Sequence, residues 1–104
     1  MVIKIKTDDL KKVLNNLKED PMRTILTEHF VEKVEDRGIE EKMVYMKLEH
    51  VNPMSIRMIC DINGIFELSY YWMKNERLIV ILSLEPPCRV ILITAFIRRI
   101  YCGN

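Results

Sequence analysis

The sequence contains little of what metal sites and secreted disulfide frameworks require. Among its 104 residues are only three cysteines and two histidines. The cysteines are odd in number and lack Cys-x-x-Cys spacing, which argues against both a disulfide framework and a zinc knuckle. There is also no His-x-x-x-His pair and no cluster of acidic ligands in the sequence. We therefore predict a protein with no metal site and no cofactor.

Long uninterrupted apolar runs are absent as well. Residues 1–9 carry several charges, so they lack the continuous apolar stretch that a signal peptide needs. The most apolar region, residues 78–97, is broken by Glu85, a proline pair and Arg89. It therefore cannot form a membrane span, which takes about 20 apolar residues. These features predict a cytoplasmic protein without membrane contact.

Neither sign of charge dominates the composition. Sixteen basic and 15 acidic residues give a formal net charge of +1, and the sequence pI is about 7.7. A small protein that binds nucleic acid through its overall charge is usually far more basic. Any binding of nucleic acid therefore requires a local patch that folding assembles. The remaining composition, 49% apolar and 30% charged, is typical of one globular domain over residues 1–104.

The first half of the chain has the periodicity of helices. Residues 2–6 alternate between apolar and basic, which suits a short edge strand at the amino terminus. Apolar residues then recur at helical spacing, with Thr7 as the cap of the first helix and Gly38 as the stop of the second. The pattern predicts helices over about residues 7–19, 24–37 and 40–50.

From Ser55 onward the apolar period changes from helical to alternating. The pair Asn63-Gly64 is a strong hairpin signal, because both positions of a type I′ turn favour positive φ. A second turn near residues 74–76 and a Pro86-Pro87 corner divide the remaining chain. The pattern predicts strands over about residues 55–62, 65–73, 77–85 and 89–97.

Helices followed by four strands with short connections predict an α+β fold, in which the helices pack on one face of a four-stranded antiparallel meander. The last two strands are apolar on both faces. The face without helices would expose Ile79, Ile81, Ile91 and Ile93 or their neighbours, and such a patch usually marks a partner surface. We therefore expect a homodimer or a bound protein partner, unless the sheet coils tightly enough to bury both faces.

One predicted helix carries three basic residues on one stripe. His29, Lys33 and Arg37 follow one another at intervals of four residues, so they border the apolar face of the helix together. A histidine titrates near neutral pH, and beside a lysine and an arginine it can transfer a proton next to a bound phosphate. A purely structural explanation stands beside this one. Long basic side chains cover apolar surface, and the helix dipole favours a cation in the last turn.

Two short segments resemble a known family. Residues 26–29 (LTEH) with Lys33, followed by residues 36–39 (DRGI), are similar to the opening signature of small domain-of-unknown-function proteins allied to RelE-type toxins. Residues 91–96 (ILITAF) resemble the closing strand of that family, and the order of helices and strands is also theirs. The resemblance covers about residues 25–97. It implies the barnase–EndoU–colicin–RelE fold, whose enzymatic members cleave RNA without a metal.

The resemblance implies a toxin-like, metal-independent endoribonuclease or a degenerate relative of one. His29 would be the general acid or base, Lys33 or Arg37 would hold the scissile phosphate, and Thr94 would line the same site from the last strand. The family has arginine four residues after its histidine, whereas this chain has Lys33, which is a poorer bidentate ligand.

Two further arginines and a protein partner complete the expectations. Arg57 and Arg89 lie on predicted strands and are candidates for substrate binding, because a guanidinium can hold two phosphate oxygens at once. A toxin of this kind would be neutralised by an antitoxin or another protein that covers its sheet or its site. The competing hypothesis is a non-catalytic interaction module that dimerises or docks a partner through an apolar sheet face.

Overall fold

A computed structural model of the protein describes residues 6–17, 24–26, 28–62, 64–85 and 89–100. In chain order the elements are α1 (Thr7–Leu17), β1 (Thr24–Leu26), α2 (Glu28–Asp36), α3 (Glu41–His50), β2 (Ser55–Cys60), β3 (Ile65–Met73), β4 (Glu76–Glu85) and β5 (Arg89–Arg99). Three helices and an antiparallel meander of four strands, β2 to β5, confirm the predicted α+β fold. The short strand predicted over residues 2–6 lies outside the described residues.

An additional strand joins the sheet where the sequence pattern predicts the start of a helix. The prediction of a helix over residues 24–37 is wrong at its beginning, because α2 starts only at Glu28. Thr24–Leu26 instead pairs in parallel with β5, and the sheet order is β1-β5-β4-β3-β2. β-Branched residues such as Thr24 and Ile25 favour strands. A segment of three residues is too short for periodicity to separate the two structures.

The other element bounds agree with the prediction to within two residues. The cap of α1 differs, since Thr7 is the first helical residue and Lys6 precedes the helix. A carboxylate oxygen of Asp9 accepts a hydrogen bond from the Lys6 backbone N–H at 2.9 Å. This contact is the half of a capping box in which the third helical residue reaches back to the cap.

The three helices pack on one face of the sheet, and the apolar core lies between the two layers. Phe30 and Val34 of α2 are fully buried there, as are Phe66 and Leu68 of β3. Tyr70 is also buried on this side, and within the described residues its hydroxyl has no hydrogen-bond partner. Burial raises the pKa of the Tyr70 hydroxyl well above its usual value.

The opposite side of the antiparallel strands, which carries none of the described helices, is called the open face below. Its central residue, Ile79, is only 1% exposed although it does not belong to the helix-side core. Ile81, Ile91 and Ile93 are half-buried. Other side chains of the open face therefore cover its centre, and they are the ones from which the candidate site is built.

Candidate nucleic-acid interface

The end of α2 fixes the position of Arg37. The Ile39 N–H donates to the Val34 carbonyl at 2.9 Å, and the Gly38 N–H donates to the Glu35 carbonyl at 3.0 Å. These two bonds form a Schellman motif, in which the residue after the C-cap adopts the left-handed conformation. Gly38 occupies that position with φ of 70°. The predicted stop at Gly38 is confirmed, and Arg37 is the C-cap residue.

Replacing Gly38 with alanine is expected to destabilise the protein by about 1 kcal/mol, because an L-residue is strained at this φ. A Cβ atom at this position would meet nothing within 4 Å, so steric contact adds no further cost. Gly38→Asn is the control, since asparagine tolerates the left-handed conformation, and we expect it to lose less than Gly38→Ala. Urea denaturation measures both variants. An unchanged stability for Gly38→Ala would contradict the assigned cap.

A β-bulge turns Thr94 toward the open face. Ile81 pairs with Thr94, whereas the next residue of β4, Leu82, pairs with Leu92, so Ile93 is the extra residue. Without the bulge, alternation from the buried Leu92 would point Thr94 into the helix-side core. With it, Thr94 shares the open face with Ile81, and Ala95 is buried. Bulges commonly re-aim side chains in this way next to functional sites.

Arg37 and Thr94 meet at this point, although 57 residues separate them in the chain. The Arg37 Nη1 group donates to Thr94 Oγ1 at 2.7 Å and to the Ala95 carbonyl at 2.8 Å. These bonds use both hydrogens of Nη1, and a guanidinium has five N–H donors. Within the described part of the chain, the Nε and Nη2 hydrogens of the exposed Arg37 are left as a two-pronged donor, which we call the Arg37 fork. Such a fork matches two oxygens of a phosphate.

The Phe96 ring on β5 lies between two arginines, Arg37 at the end of α2 and Arg98 on β5. The guanidinium carbon of Arg37 is 5.8 Å from the centroid of the Phe96 ring, and that of Arg98 is 5.5 Å from the same centroid. Both distances fall within the range of cation–π attraction. A third such pair, Arg77 over Tyr71 at 5.4 Å, lies near the β3–β4 turn. Tyr71 is 53% exposed.

Strand register places these groups on a common surface. Arg57, Glu67, Ile81 and Thr94 are successive cross-strand partners from β2 to β5. Cross-strand partners project from the same face of a sheet. Tyr71, Arg77 and Arg98 form a second such row on the same face. With Arg37 included, the described residues of this surface carry four arginines and one carboxylate, that of Glu67. Folding thus assembles a local basic patch, which a protein of near-neutral composition would need in order to bind nucleic acid.

Glu67 binds two of these arginines. Its Oε2 atom is 3.2 Å from Arg57 Nε, and its Oε1 atom is 3.1 Å from Arg98 Nη2. The Glu67 side chain is 11% exposed, while those of Arg57 and Arg98 are 69% and 48% exposed. Arg98 starts on β5 and Glu67 on β3, so the ion pair crosses β4 between them. This crossing explains how Ile79, at the centre of β4, is buried on the open face.

The structure brings together some of the predicted site residues and leaves others apart. Arg37 and Thr94 are in direct contact, and Arg57 lies on the same face at the far strand of the sheet. His29 is exposed and Lys33 half-buried on α2. The eight residues from His29 to Asp36, the end of α2, span about 10 Å along the helix axis. The side chain of Arg89 lies outside the described part of the structure.

Sequence reasoning did not assign a role to Glu67 or Phe96. Alternation alone places Glu67 on the face opposite to the core residues Phe66 and Leu68, so its position on the open face could be predicted from the sequence. Its two arginine partners could not be predicted, because they depend on the register of three strands and on the bulge at Ile93.

Comparison with known proteins adds no family to this description. The sequence matches no protein-family profile and no curated protein, and no solved structure matches the fold. Among the described residues, no three His, Cys, Asp or Glu side chains are placed to hold a metal ion. The helices that the structure describes are also too short or too polar to cross a membrane.

Proposed function

We propose that this protein binds single-stranded RNA on its open face and that the Arg37 fork holds a phosphodiester. The observation that carries the proposal is the double anchoring of Arg37 Nη1 by Thr94 and the Ala95 carbonyl. An arginine whose rotamer is already fixed loses less side-chain entropy when it binds an anion. Its contact with phosphate is charge-assisted and bidentate, which makes it both strong and geometrically specific.

The aromatic side chains of the open face suit an unpaired base. Phe96 adjoins the Arg37 fork, and Tyr71 is exposed at the other end of the surface. Bases of single-stranded RNA stack on such rings, whereas duplex bases are already stacked on one another. A sheet face with arginines between aromatic rings therefore favours single-stranded over duplex RNA.

The catalytic form of the proposal is a toxin-like endoribonuclease that uses no metal. His29 would take the proton from a 2′-hydroxyl as its oxygen bonds to the adjacent phosphorus, and the P–O5′ bond would break with a water molecule protonating the leaving 5′-oxygen. Lys33, one helical turn away, would stabilise the charge on the scissile phosphate. Arg37 lies a further turn along, so it would hold an adjacent phosphate and position the chain. Arg57 and Arg89 would add phosphate contacts on the sheet. If His29 does not act in this way, the protein is a degenerate, non-cleaving relative that retains RNA binding.

A cleavage assay on fluorophore-labelled single-stranded RNA in EDTA tests this catalytic form. His29→Ala is expected to slow cleavage by at least about tenfold, because general acid–base groups contribute at least that much. His50→Ala is the matched control, since His50 is the second histidine and is exposed at the end of α3. Anisotropy of the same RNA should show unchanged binding for both variants.

The outcomes of this assay separate the two forms of the proposal. Binding without cleavage by the wild type would reject His29 catalysis and retain the RNA-binding function. Cleavage that is equal in all three proteins would place the chemistry elsewhere or in a contaminant. Neither binding nor cleavage by the wild type would contradict the whole proposal.

A protein-interaction module is the second candidate function. The observation in its favour is a set of half-buried apolar side chains on the open face, Ile81, Ile91 and Ile93. A second copy of the chain or an antitoxin-like partner bound there would cover these side chains. Light scattering after size-exclusion chromatography tests the dimer directly. A dimer that fails to bind RNA would favour this candidate over RNA binding.

A further inference from the structure

We infer that Arg57 and Arg98 form a second phosphodiester-binding site and that Glu67 occupies it when RNA is absent. This inference rests on the proposed function, because the phosphate is taken to belong to the same RNA chain that the Arg37 fork holds. Glu67 Oε1 accepts hydrogen bonds from Arg57 Nη2 at 3.4 Å and from Arg98 Nη2 at 3.1 Å, and Glu67 Oε2 lies 3.2 Å from Arg57 Nε. In this arrangement two guanidinium groups converge on one anion.

The chemistry of the pair suits a phosphodiester as well as it suits a carboxylate. Both anions present two oxygens that share a negative charge, and arginine binds either one in the same bidentate manner. Arg57 and Arg98 remain well exposed while they contact Glu67. Their guanidinium groups are open to solvent, although the Glu67 side chain between them is only 11% exposed. An incoming phosphate can therefore reach both arginines from solvent and compete with the carboxylate for them.

The second site lies within reach of the first along one chain. Glu67 and Thr94 belong to the same cross-strand row and are separated by one strand, β4. Neighbouring strands are about 4.8 Å apart, so this separation is about 10 Å. Phe96 lies between the sites, near both Arg37 and Arg98. An RNA strand that crosses the sheet from β5 toward β2 would meet the fork, the ring and the second arginine pair in that order.

A purely structural role for Glu67 leads to a different expectation. In that case its carboxylate only holds the side chains of Arg57 and Arg98 in place above Ile79. Neutralising it would then lower stability without improving the affinity for RNA. As an internal competitor, it withholds two arginines, and its removal should tighten binding. The two roles thus predict opposite changes in affinity when the charge is removed and the side-chain shape is kept.

The experiment compares Glu67→Gln with the wild type by anisotropy of a fluorescein-labelled oligouridylate of about 12 nucleotides, a length that covers a binding face of this kind. We expect Glu67→Gln to bind at least about threefold more tightly, since one like charge near the phosphate is removed. The slope of log affinity against log salt should steepen by about 0.7, because one more phosphate of a single strand is contacted. Thermal melting confirms that each variant is folded.

Glu76→Gln is the matched control. Glu76 also pairs with an arginine, Arg99, at 4.0 Å, but alternation places it on the helix side of β4. Both variants raise the net charge by one, so an equal gain for both would reduce the effect to overall charge and overturn the inference. Unchanged or weaker binding by Glu67→Gln, with the wild type still binding, would overturn it and leave the proposed function intact. If no protein binds the RNA, both fail.

Inorganic phosphate distinguishes the source of the anion. Added at constant ionic strength, it should compete with the RNA only weakly, because it cannot span the fork and the second site together. A different result would overturn the assignment to a polynucleotide. If inorganic phosphate binds the Glu67→Gln variant to saturation while the affinity of this variant for RNA is no higher than that of the wild type, the arginine pair is a site for free anions.

Discussion

Arg37→Ala is expected to weaken the binding of single-stranded RNA by about 10- to 100-fold. Hydrogen bonds to charged groups contribute about 1.5–3 kcal/mol, and we count the two bonds from the fork to one phosphate as a single bidentate contact of that size. The same substitution removes the bonds to Thr94 Oγ1 and the Ala95 carbonyl. We therefore also expect a loss of stability of about 1–2 kcal/mol. Anisotropy measures the first effect and urea denaturation the second.

Two controls separate these effects of Arg37. Arg37→Lys keeps the charge but not the bidentate geometry, so it should recover only part of the affinity. Arg99→Ala removes one positive charge from an exposed residue that pairs with Glu76 on the other side of the sheet. It should leave binding nearly unchanged. If Arg37→Ala loses stability but binds RNA as well as Arg99→Ala does, Arg37 is only a structural tie between α2 and β5.

Phe30→Ala is expected to destabilise the protein by about 3–5 kcal/mol, which is the usual cost of truncating a buried aromatic side chain to alanine. Phe30 is fully buried on α2, in the core between the helices and the sheet. Small domains are stable by only about 5–15 kcal/mol, so this loss brings the protein close to unfolding. Urea denaturation followed by far-ultraviolet circular dichroism measures it.

Phe30→Leu is the control for that prediction. It keeps an apolar side chain in the site, so it should lose clearly less stability than the alanine variant. Val31, the next residue on α2, is only partly buried, and Val31→Ala should cost less again. A loss of less than about 1 kcal/mol for Phe30→Ala would contradict the packing of α2 against the sheet.

The sequence was sufficient to predict the layer arrangement, because helical and alternating periods are strong signals over long segments. It was not sufficient for β1, where Thr24–Leu26 spans three residues and its pairing with β5 depends on a distant part of the chain. The bulge at Ile93 was equally hidden. Nothing in the local sequence of β5 indicates which residue is skipped, since that choice depends on packing against β4.

In the candidate site, too, some residues could be predicted from the sequence and others depend on the complete fold. The spacing of His29, Lys33 and Arg37 is local, and the resemblance added Thr94 to the same site. The structure then places Arg37 and Thr94 in contact. Glu67 and its two arginines come from three different strands, so their meeting requires the complete register of the sheet. The roles of His29 and Lys33 in cleavage stay predictions.

Mapping of RNA contacts by NMR tests the central claim most directly. Backbone and arginine Nε resonances of labelled wild-type protein would be followed during titration with a short single-stranded RNA. We predict that shifts concentrate on Arg37, on the β5 residues 94–98 and on Arg57 and Glu67, while α1 and α3 are unaffected. Shifts confined to the helices, or no shifts at all when RNA is in excess, would contradict the assignment of the open face as an RNA-binding surface.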